Sequence, residues 1–289
     1  MKYKVCFIQR LGPMTASYRM RSVFPAQYVG GFVNGSETEA ANIMVFTKPT
    51  PTDVVLAREL KAEGMKIVAD IIDDHFRHKL VGQSYADMVN LADVIVTPTA
   101  NMSDRMVKYG LRPADVIIPE AYDEAFAEPH ANGAEQYMWF GCQGNLKDIR
   151  PWIKNGLLNG MPLTIVSGPN ENLGHDWIQW TPEVQTKSLQ QANIVLLPTR
   201  KGVEYKSANR LVNSLRAGCF PVCGDLPSYK EFRRFCWVGK FDTGLRWAQA
   251  CKHELNDRVK EGQAYIEKFS PDAVGKLWEQ TLEAVGDTY

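Results

Sequence analysis

A polar segment in the second half of the chain, Glu204-Tyr205-Lys206-Ser207-Ala208-Asn209-Arg210, carries basic, hydroxyl and amide side chains at the junction of two predicted elements. The strand Ile194–Leu197 precedes it, and the helix Ser207–Ala217 begins within it, with the serine as predicted N-cap. A helix N-terminus offers free N–H groups and the positive end of the helix dipole, and two basic side chains stand beside it. This pattern suits a diphosphate group. A capped helix with solvated basic side chains is the alternative.

A second group of reactive side chains, Asp73, Asp74 and His75, follows the predicted strand Lys66–Ile71. A carboxylate or imidazole at a strand end can orient or deprotonate a hydroxyl group. The alternative is that one aspartate caps the next helix. His75 and His78 are three residues apart, but without further ligands this spacing does not predict a metal site.

The loop Arg10–Arg21 follows the first predicted strand and contains a turn at Gly12 and Pro13. Arg19 lies where the next helix begins, which by itself indicates a solvated basic helix start. The family resemblance described below implies instead that the loop lies against the donor phosphates or the acceptor. The loop lacks the Gly-x-Gly-x-x-Gly fingerprint, which disfavours NAD or FAD.

These groups are positioned by an alternation of short apolar runs and longer amphipathic stretches, which is typical of parallel α/β proteins. The predicted strands are Lys4–Gln9, Ile43–Thr47, Lys66–Ile71, Val94–Thr97, Val116–Ile118, Tyr137–Phe140, Leu163–Val166, Ile194–Leu197 and Phe220–Cys223. The predicted helices are Thr52–Glu63, Asn101–Tyr109, Leu146–Leu158, Ser207–Ala217 and Trp247–Ala284, the last broken at Ser270-Pro271. An aperiodic polar stretch after Asp123 predicts a linker.

A short internal sequence repeat, called the internal echo below, favours an organisation in two lobes. Ala92-Asp-Val-Ile-Val-Thr-Pro-Thr99 recurs as Ala192-Asn-Ile-Val-Leu-Leu-Pro-Thr199. Each copy predicts a helix end, an apolar strand and a Pro-Thr turn at the carboxyl edge of a sheet, where doubly wound folds bind ligands. Any two αβα units share some of this pattern, so the echo alone does not establish a duplication.

Composition excludes several classes of protein. Thirty-three basic and 33 acidic residues cancel, so no global charge attracts nucleic acid or an anionic membrane. The six cysteines show no Cys-x-x-Cys pattern, which disfavours a zinc site or a disulfide framework. No stretch approaches the ~20 apolar residues of a membrane span, and the N-terminal run is too short for a signal peptide. We therefore expect a cytoplasmic protein.

Several segments resemble, in order, the GT-B glycosyltransferases, and specifically the large retaining family that includes bacterial and phage sugar transferases. The matching segments are Ile67–Phe76, Leu91–Thr99, Val116–Asp123, Tyr137–Gly144, Glu204–Arg210 and Lys268–Trp278. The resemblance implies a GT-B fold of two Rossmann-like domains facing each other across a cleft. Residues 1–126 would form the acceptor-side domain and residues 127–270 the nucleotide-sugar domain. Residues 271–289 would form a helix that packs back on the first domain.

The resemblance also implies roles for individual residues. Asp73, Asp74 and His75 are the implied catalytic residues. The implied donor-binding residues are Gly12, Arg19, Gly141, Gly144, Lys147, Arg200, Glu204, Tyr205, Lys206, Ser207, Asn209, Arg210 and Asn213. Arg150 is an alternative to Lys147 as an added positive charge. The family places two glutamates eight positions apart around this helix, whereas this chain has Tyr205 and Asn213 there.

The implied activity is metal-independent, retaining transfer of a sugar from a nucleotide-diphosphate sugar to an acceptor hydroxyl. No cofactor beyond the donor is expected. The acceptor is a glycan, a lipid-linked glycan or a hydroxymethylated DNA base, and the cell compartment is the cytoplasm of a bacterium or phage-infected host. A monomer or weak homodimer is expected. An epimerase or hydrolase of the same fold, and a non-catalytic nucleotide-sugar-binding protein, are the alternatives. Trp177 and Trp180 are candidates for a base pocket or for core positions.

Overall fold

The computed structural model describes residues 3–34 and 41–287. The described chain divides into two compact units. Unit 1 contains the described residues of Met1–Ala121, Tyr205–Ser207 and Phe269–Tyr289. Unit 2 contains Tyr122–Glu204 and Ala208–Lys268. Among the described residues, no helix combines the length and apolar character needed to cross a bilayer.

Unit 1 is built on a six-stranded parallel sheet with the order β2-β1-β3-β4-β5-β6. Its strands are β1 (Val5–Ile8), β2 (Phe32–Val33), β3 (Ile43–Thr47), β4 (Lys66–Asp70), β5 (Val94–Thr97) and β6 (Val116–Ile117). The chain direction across the sheet reverses between β1 and β3. In doubly wound sheets, ligands bind outside the carboxyl ends of the strands at this switch point.

Helices cover both faces of the unit 1 sheet, because nearly every strand residue is apolar and must be buried on both sides. They are α1 (Ala16–Tyr18), a π-helical turn at Arg19–Val23, α2 (Phe24–Val29), α3 (Pro51–Ala62), α4 (Gly82–Leu91), α5 (Ala100–Lys108) and the C-terminal α11 (Pro271–Gly286). One face packs around Met44, Tyr85 and Met102, and the other around Phe7 and Trp278. The predicted packing of the C-terminal helix on the first sheet is therefore confirmed.

Unit 2 has a second six-stranded parallel sheet, with the order β12-β11-β10-β7-β8-β9. Its strands are β7 (Tyr137–Phe140), β8 (Leu163–Ser167), β9 (Asp176–Gln179), β10 (Ile194–Leu197), β11 (Phe220–Cys223) and β12 (Trp237–Val238). Counted within the unit, this order is 3-2-1-4-5-6 reversed, the doubly wound order of dinucleotide-binding folds. The switch point lies between β7 and β10.

The helices of unit 2 are α6 (Leu146–Lys154), α7 (Pro182–Gln191), α8 (Asn209–Arg216), α9 (Phe241–Ala250) and α10 (Leu255–Tyr265). Two of them, α6 and α8, have the clearest division into an apolar and a polar face. Their apolar faces bury residues such as Leu146, Ile149, Leu211 and Leu215. They follow β7 and β10, so their N-termini lie at the carboxyl edge of the sheet next to the switch point.

All nine predicted strands are confirmed, and both copies of the internal echo form a helix end, a strand and a turn. The sequence analysis missed β2, β9 and β12. These strands lie at sheet edges, are two to four residues long and have no fully buried run, so their hydrophobic pattern is weak. The predicted end of the helix Leu146–Leu158 is wrong, because α6 ends at Lys154. Gly156 follows with φ +82°, a left-handed conformation that is common just after a helix.

Candidate functional site

The carboxyl edge of the unit 2 sheet carries two arginines that share one carboxylate. Arg200 follows β10, Arg210 lies in the first turn of α8, and Asp148 lies in the first turn of α6. Asp148 is 1% exposed and contacts Arg200 Nη1, and its other oxygen is 3.9 Å from Arg210 Nη2. Two guanidinium groups against one carboxylate leave an excess positive charge at the switch point, which suits an anion.

The turn after β7 approaches one of these arginines closely. Arg210 Nη1 donates a hydrogen bond to the Phe140 carbonyl at 3.1 Å. A Cβ atom at Gly141 would stand 3.3 Å from Arg210 Nη1 and 3.2 Å from the Trp139 ring, so a side chain there would crowd both groups. Ser167 Oγ donates to the Gly141 carbonyl at 2.9 Å and fixes the turn. A glycine at position 141 thus has a steric reason in this chain, and its predicted role in phosphate binding stays a prediction.

The other residues of this glycine-containing turn are arranged differently. Gly144 has no neighbouring atom within 4 Å of a Cβ position, and Lys147 is exposed. Arg150 forms an ion pair with Glu171, whose other oxygen accepts a hydrogen bond from Gln143 at 3.1 Å. The charge of Arg150 is therefore neutralised in this structure, whereas that of Lys147 faces solvent.

The helix of the polar segment begins later than predicted. α8 starts at Asn209 and its N-cap is Ala208, which makes no side-chain cap hydrogen bond. The prediction of Ser207 as N-cap is wrong, because its hydroxyl group hydrogen-bonds the Glu120 carboxyl group instead. Glu204 accepts a hydrogen bond from the Gly202 N–H at 2.8 Å, within its own turn.

Asn213, the predicted ribose contact, is 2% exposed. Its Oδ1 atom accepts hydrogen bonds from the backbone N–H groups of Asp123 and Glu124 at 3.1 and 3.4 Å. Its Nδ2 atom donates to Asp123 Oδ1 at 3.0 Å. The amide side chain thus fixes the start of the aperiodic stretch after Asp123, and a ribose would have to replace these bonds.

In unit 1, the corresponding edge contains a buried ion pair. Arg21 and Asp70 are both 0% exposed and form two hydrogen bonds, Nη2 to Oδ1 at 2.5 Å and Nε to Oδ2 at 3.0 Å. Thr47 Oγ1 donates to Asp70 Oδ2 at 2.9 Å. The guanidinium group also lies over the Trp278 ring. The sequence-based alternative of a solvated basic helix start is therefore wrong for Arg21, because the π-helical turn directs it into the core.

Glu120 lies beside this pair, shortly after β6. Its carboxyl group hydrogen-bonds Ser207, whereas its Oε2 atom is buried and has no hydrogen-bond partner among residues 3–34 and 41–287. Burial raises the pKa of Glu120, and the Arg21 guanidinium and the Ser207 hydroxyl offset part of that effect. The neutral carboxylic acid is therefore favoured to a higher pH than for a solvated glutamate.

The side chains after β4 separate into two environments. Asp73 Oδ2 is 2.7 Å from Lys48 Nζ. Burial acts to raise the Asp73 pKa, but Lys48, His75 and Lys206 together lower it, so the carboxylate stays charged. His75 is half-exposed, and burial lowers its pKa against the opposing effect of Asp73, which favours a neutral imidazole. A neutral imidazole beside a carboxylate can accept a proton from a hydroxyl group.

Asp74 is held away from that pair. Its Oδ2 atom accepts hydrogen bonds from Arg105 Nε at 2.6 Å and from the Tyr109 hydroxyl at 3.0 Å. Its side chain is 7% exposed. These contacts fix the loop after β4 to α5, so the three predicted catalytic residues divide into Asp73 and His75, which lie side by side, and Asp74, which anchors the loop.

The remaining predicted residues of unit 1 lie in the segment after β1 and in the segment just before α8. Gly12 is exposed, with no atom near its Cβ position, and Arg19 Nη1 donates to the Pro13 carbonyl at 3.4 Å. The Tyr205 carbonyl accepts a hydrogen bond from Thr99 Oγ1 at 2.9 Å, and its ring packs against the core that contains Tyr85. Within residues 3–34 and 41–287, no three His, Cys, Asp or Glu side chains form a candidate metal cluster.

Solved structures are similar to this chain over nearly its whole length. An α-glucosyltransferase in complex with UDP-glucose and DNA containing an abasic site has a TM-score of 0.67 at 9% identity, covering 98% of this chain and 99% of its own. The chain has the GT-B fold. An E. coli trehalose-6-phosphate synthase bound with UDP-2-fluoro glucose has a TM-score of 0.64 at 9% identity, covering 98% of both chains. The DNA-modifying enzyme β-glucosyltransferase has a TM-score of 0.61 at 9% identity, covering 98% of this chain and 99% of its own.

The predicted fold class is therefore confirmed, and these structural neighbours are nucleotide-sugar glycosyltransferases. No protein-family model and no curated protein sequence matches this chain.

The sequence analysis missed two residues that the geometry brings forward. Asp148 holds both arginines of the unit 2 edge, and Glu120 holds Ser207. A carboxylate in the first turn of a buried helix gives only a weak signal, because acidic residues are common there. Glu120 follows a Pro in an apolar run, and its burial depends on Arg21, which is distant in sequence.

Proposed function

We propose that this protein is a glycosyltransferase that moves a sugar from a nucleotide-diphosphate sugar to an acceptor hydroxyl group. The observation that carries this proposal is the pair Arg200 and Arg210, sharing Asp148 at the switch point of the unit 2 sheet. A preorganised excess of positive charge stabilises the nucleoside diphosphate that leaves when the bond between the sugar and the diphosphate of the donor breaks. Two of the structural neighbours reported above are described as bound to UDP-glucose or UDP-2-fluoro glucose, so UDP-glucose is the first donor to test.

Unit 1 supplies the groups that we propose act on the acceptor. Asp73 is held charged by Lys48, and His75 is favoured in its neutral form. In this proposal one of these two side chains orients or deprotonates the acceptor hydroxyl group. Lys206 lies in the electrostatic field of Asp73 and belongs to the segment proposed to bind the donor.

Two finer features belong to the proposal. Retention of the anomeric configuration follows from the sequence resemblance, and NMR of the glycosylated product tests it. Metal independence is proposed because arginine side chains can take the part that a divalent cation plays beside a diphosphate. The acceptors to compare are saccharides and DNA carrying hydroxymethylated bases, because the α-glucosyltransferase neighbour is described with DNA and the β-glucosyltransferase neighbour as DNA-modifying.

The experiment is calorimetric titration of UDP into the wild type and into Arg200→Ala, Arg210→Ala and Lys206→Ala. Loss of a charged hydrogen bond predicts affinities about 10- to 100-fold weaker for the two arginine variants. Arg233→Ala is the matched control, because this arginine of unit 2 is 55% exposed and its ion pair with Asp225, at 3.4 Å, lies at the surface. Wild-type affinity in both Arg200→Ala and Arg210→Ala would contradict the assignment of the site.

A further inference from the structure

The turn after β7 has charged side chains on both sides. The strand order of the unit 2 sheet places β10 on one side of β7 and β8 on the other. From the β10 side, Arg210 Nη1 donates a hydrogen bond to the Phe140 carbonyl at 3.1 Å. From the β8 side, Glu171 accepts a hydrogen bond from Gln143 Nε2 at 3.1 Å. A cation and a carboxylate of this chain therefore border the same turn.

The loop after β8 holds the carboxylate of Glu171 against this turn. The next residue, Asn172, has φ +51°, a left-handed conformation that asparagine adopts more readily than most residues. Its N–H donates a hydrogen bond to Asn170 Oδ1 at 2.7 Å. A Cβ atom at Gly168 would lie 3.7 Å from Gln143 Oε1, so the start of the loop also lies against the turn. The position of Glu171 is thus set by the backbone around it.

The same carboxylate forms an ion pair with Arg150 of α6. Arg150 is two positions after Asp148, and side chains at this spacing point to different sides of a helix. Asp148 contacts the two arginines that come from the β10 side, whereas Arg150 contacts the loop that comes from the β8 side. A third arginine therefore borders the turn, with its charge covered by Glu171.

The two carboxylates of this edge differ in how easily an anion could displace them. Asp148 is 1% exposed and is shared by two arginines. Glu171 is 22% exposed, lies in a loop and pairs with one arginine that is itself 35% exposed. An arginine can donate to phosphate oxygens as well as to a carboxylate, so Arg150 can exchange one for the other. Until it does, Glu171 occupies its N–H groups and repels an approaching anion.

We propose that Glu171 is an internal competitor of the donor diphosphate. Without a nucleotide, Glu171 covers Arg150. When a nucleoside diphosphate binds, Arg150 exchanges the carboxylate for a phosphate, and the ion pair forms again as the nucleoside diphosphate leaves. The proposal rests on the proposed function and adds a control on affinity at the same site. Its benefit is faster release of the product, a step that limits turnover in many enzymes.

The test is calorimetric titration of UDP and of inorganic pyrophosphate into the full chain of four proteins: the wild type, Glu171→Gln, Arg150→Met and the double variant. Glutamine keeps the size of the side chain and a polar partner for Gln143 but removes the negative charge. Glu171→Gln should bind both anions about 3- to 10-fold more tightly, and Arg150→Met should bind them more weakly. Most of the gain should be lost when Arg150 is also replaced, which the double-mutant cycle measures.

Glu261→Gln is the matched control, because Glu261 forms an exposed ion pair with Arg234 at 2.8 Å in the same unit. It should leave the affinity for both anions at the wild-type value. Two readouts separate competition from a purely structural role of Glu171. Stopped-flow displacement should show slower UDP dissociation from Glu171→Gln, and the gain in affinity should shrink as the salt concentration rises. Thermal melts check folding, and Glu171→Ala provides a second way to remove the charge.

The inference is overturned if folded Glu171→Gln and Glu171→Ala bind UDP and pyrophosphate no more tightly than the wild type, or if the double variant keeps the full gain. Failure of the proposed function gives a different pattern. In that case no protein of the series binds UDP, while Glu171→Gln still binds pyrophosphate more tightly than the wild type. Absence of binding of both anions to the wild type and to Glu171→Gln would contradict the inference and the proposed function together.

Discussion

The arginines at the carboxyl edges of the two sheets differ in their burial and in how their charge is balanced. In unit 1, Arg21 is fully buried and its charge is matched by Asp70 through two hydrogen bonds. In unit 2, Arg200 and Arg210 share Asp148, and their side chains remain 36% and 13% exposed. The first arrangement leaves a neutral polar edge and the second a cationic edge. Sheets with similar doubly wound topology therefore offer different chemistry, which depends on how many carboxylates meet the arginines.

The largest effect expected from this comparison is on stability. Asp70→Asn leaves a buried guanidinium group without a counter-charge, which should lower the free energy of unfolding by about 3–5 kcal/mol. Asp148→Asn should cost less, about 1–3 kcal/mol, because both of its arginines reach solvent. Chemical unfolding measures the free energy of unfolding of each variant. Hydrogen exchange of the backbone amides in β4 and β7 shows which of the two units is destabilised.

Asp87→Asn is the control for both substitutions. Asp87 lies 3.6 Å from the exposed Arg58 and accepts a hydrogen bond from Gln83 at 2.8 Å, which an asparagine oxygen can still accept. Loss of the charge should therefore change stability by less than about 1 kcal/mol. Equal losses in Asp70→Asn and Asp148→Asn would show that the two edges do not differ in the way described.

The sequence was sufficient for nine of the twelve strands in the described residues and for the presence of the basic residues, because buried strands have local signals. It was not sufficient to predict which of these basic residues are paired with a carboxylate in the fold. Arg21 and Arg210 both lie near a helix start in the sequence, and only the fold shows that Asp70 neutralises the first. Ser207 has the sequence context of an N-cap, yet its hydroxyl group hydrogen-bonds Glu120, 87 positions earlier in the sequence.

A smaller effect should separate the two aspartates that follow β4. Asp73→Asn removes the charge held by Lys48, and we expect turnover to fall by about 10²- to 10⁴-fold with little change in stability. Asp74→Asn disturbs the contacts to Arg105 and Tyr109, and we expect a loss of about 1–3 kcal/mol with turnover largely kept. Steady-state kinetics and thermal melts of both variants measure this, and the reverse pattern would exchange their roles.

The smallest expected effect is that of chelation. If the arginines of the unit 2 edge neutralise the leaving diphosphate, EDTA should leave turnover unchanged. Loss of activity that only an added divalent cation restores would mean that a metal contributes to the reaction.

The most direct test of the account is release of UDP from UDP-glucose with and without acceptors. The acceptor panel consists of saccharides and DNA carrying hydroxymethylated bases, and mass spectrometry follows the transfer product. We predict that rapid UDP release requires one of these acceptors, yields a glycosylated product and is lost in Arg210→Ala. Equal release without any acceptor would instead indicate a hydrolase or epimerase, and UDP-glucose binding without turnover would indicate a binding protein.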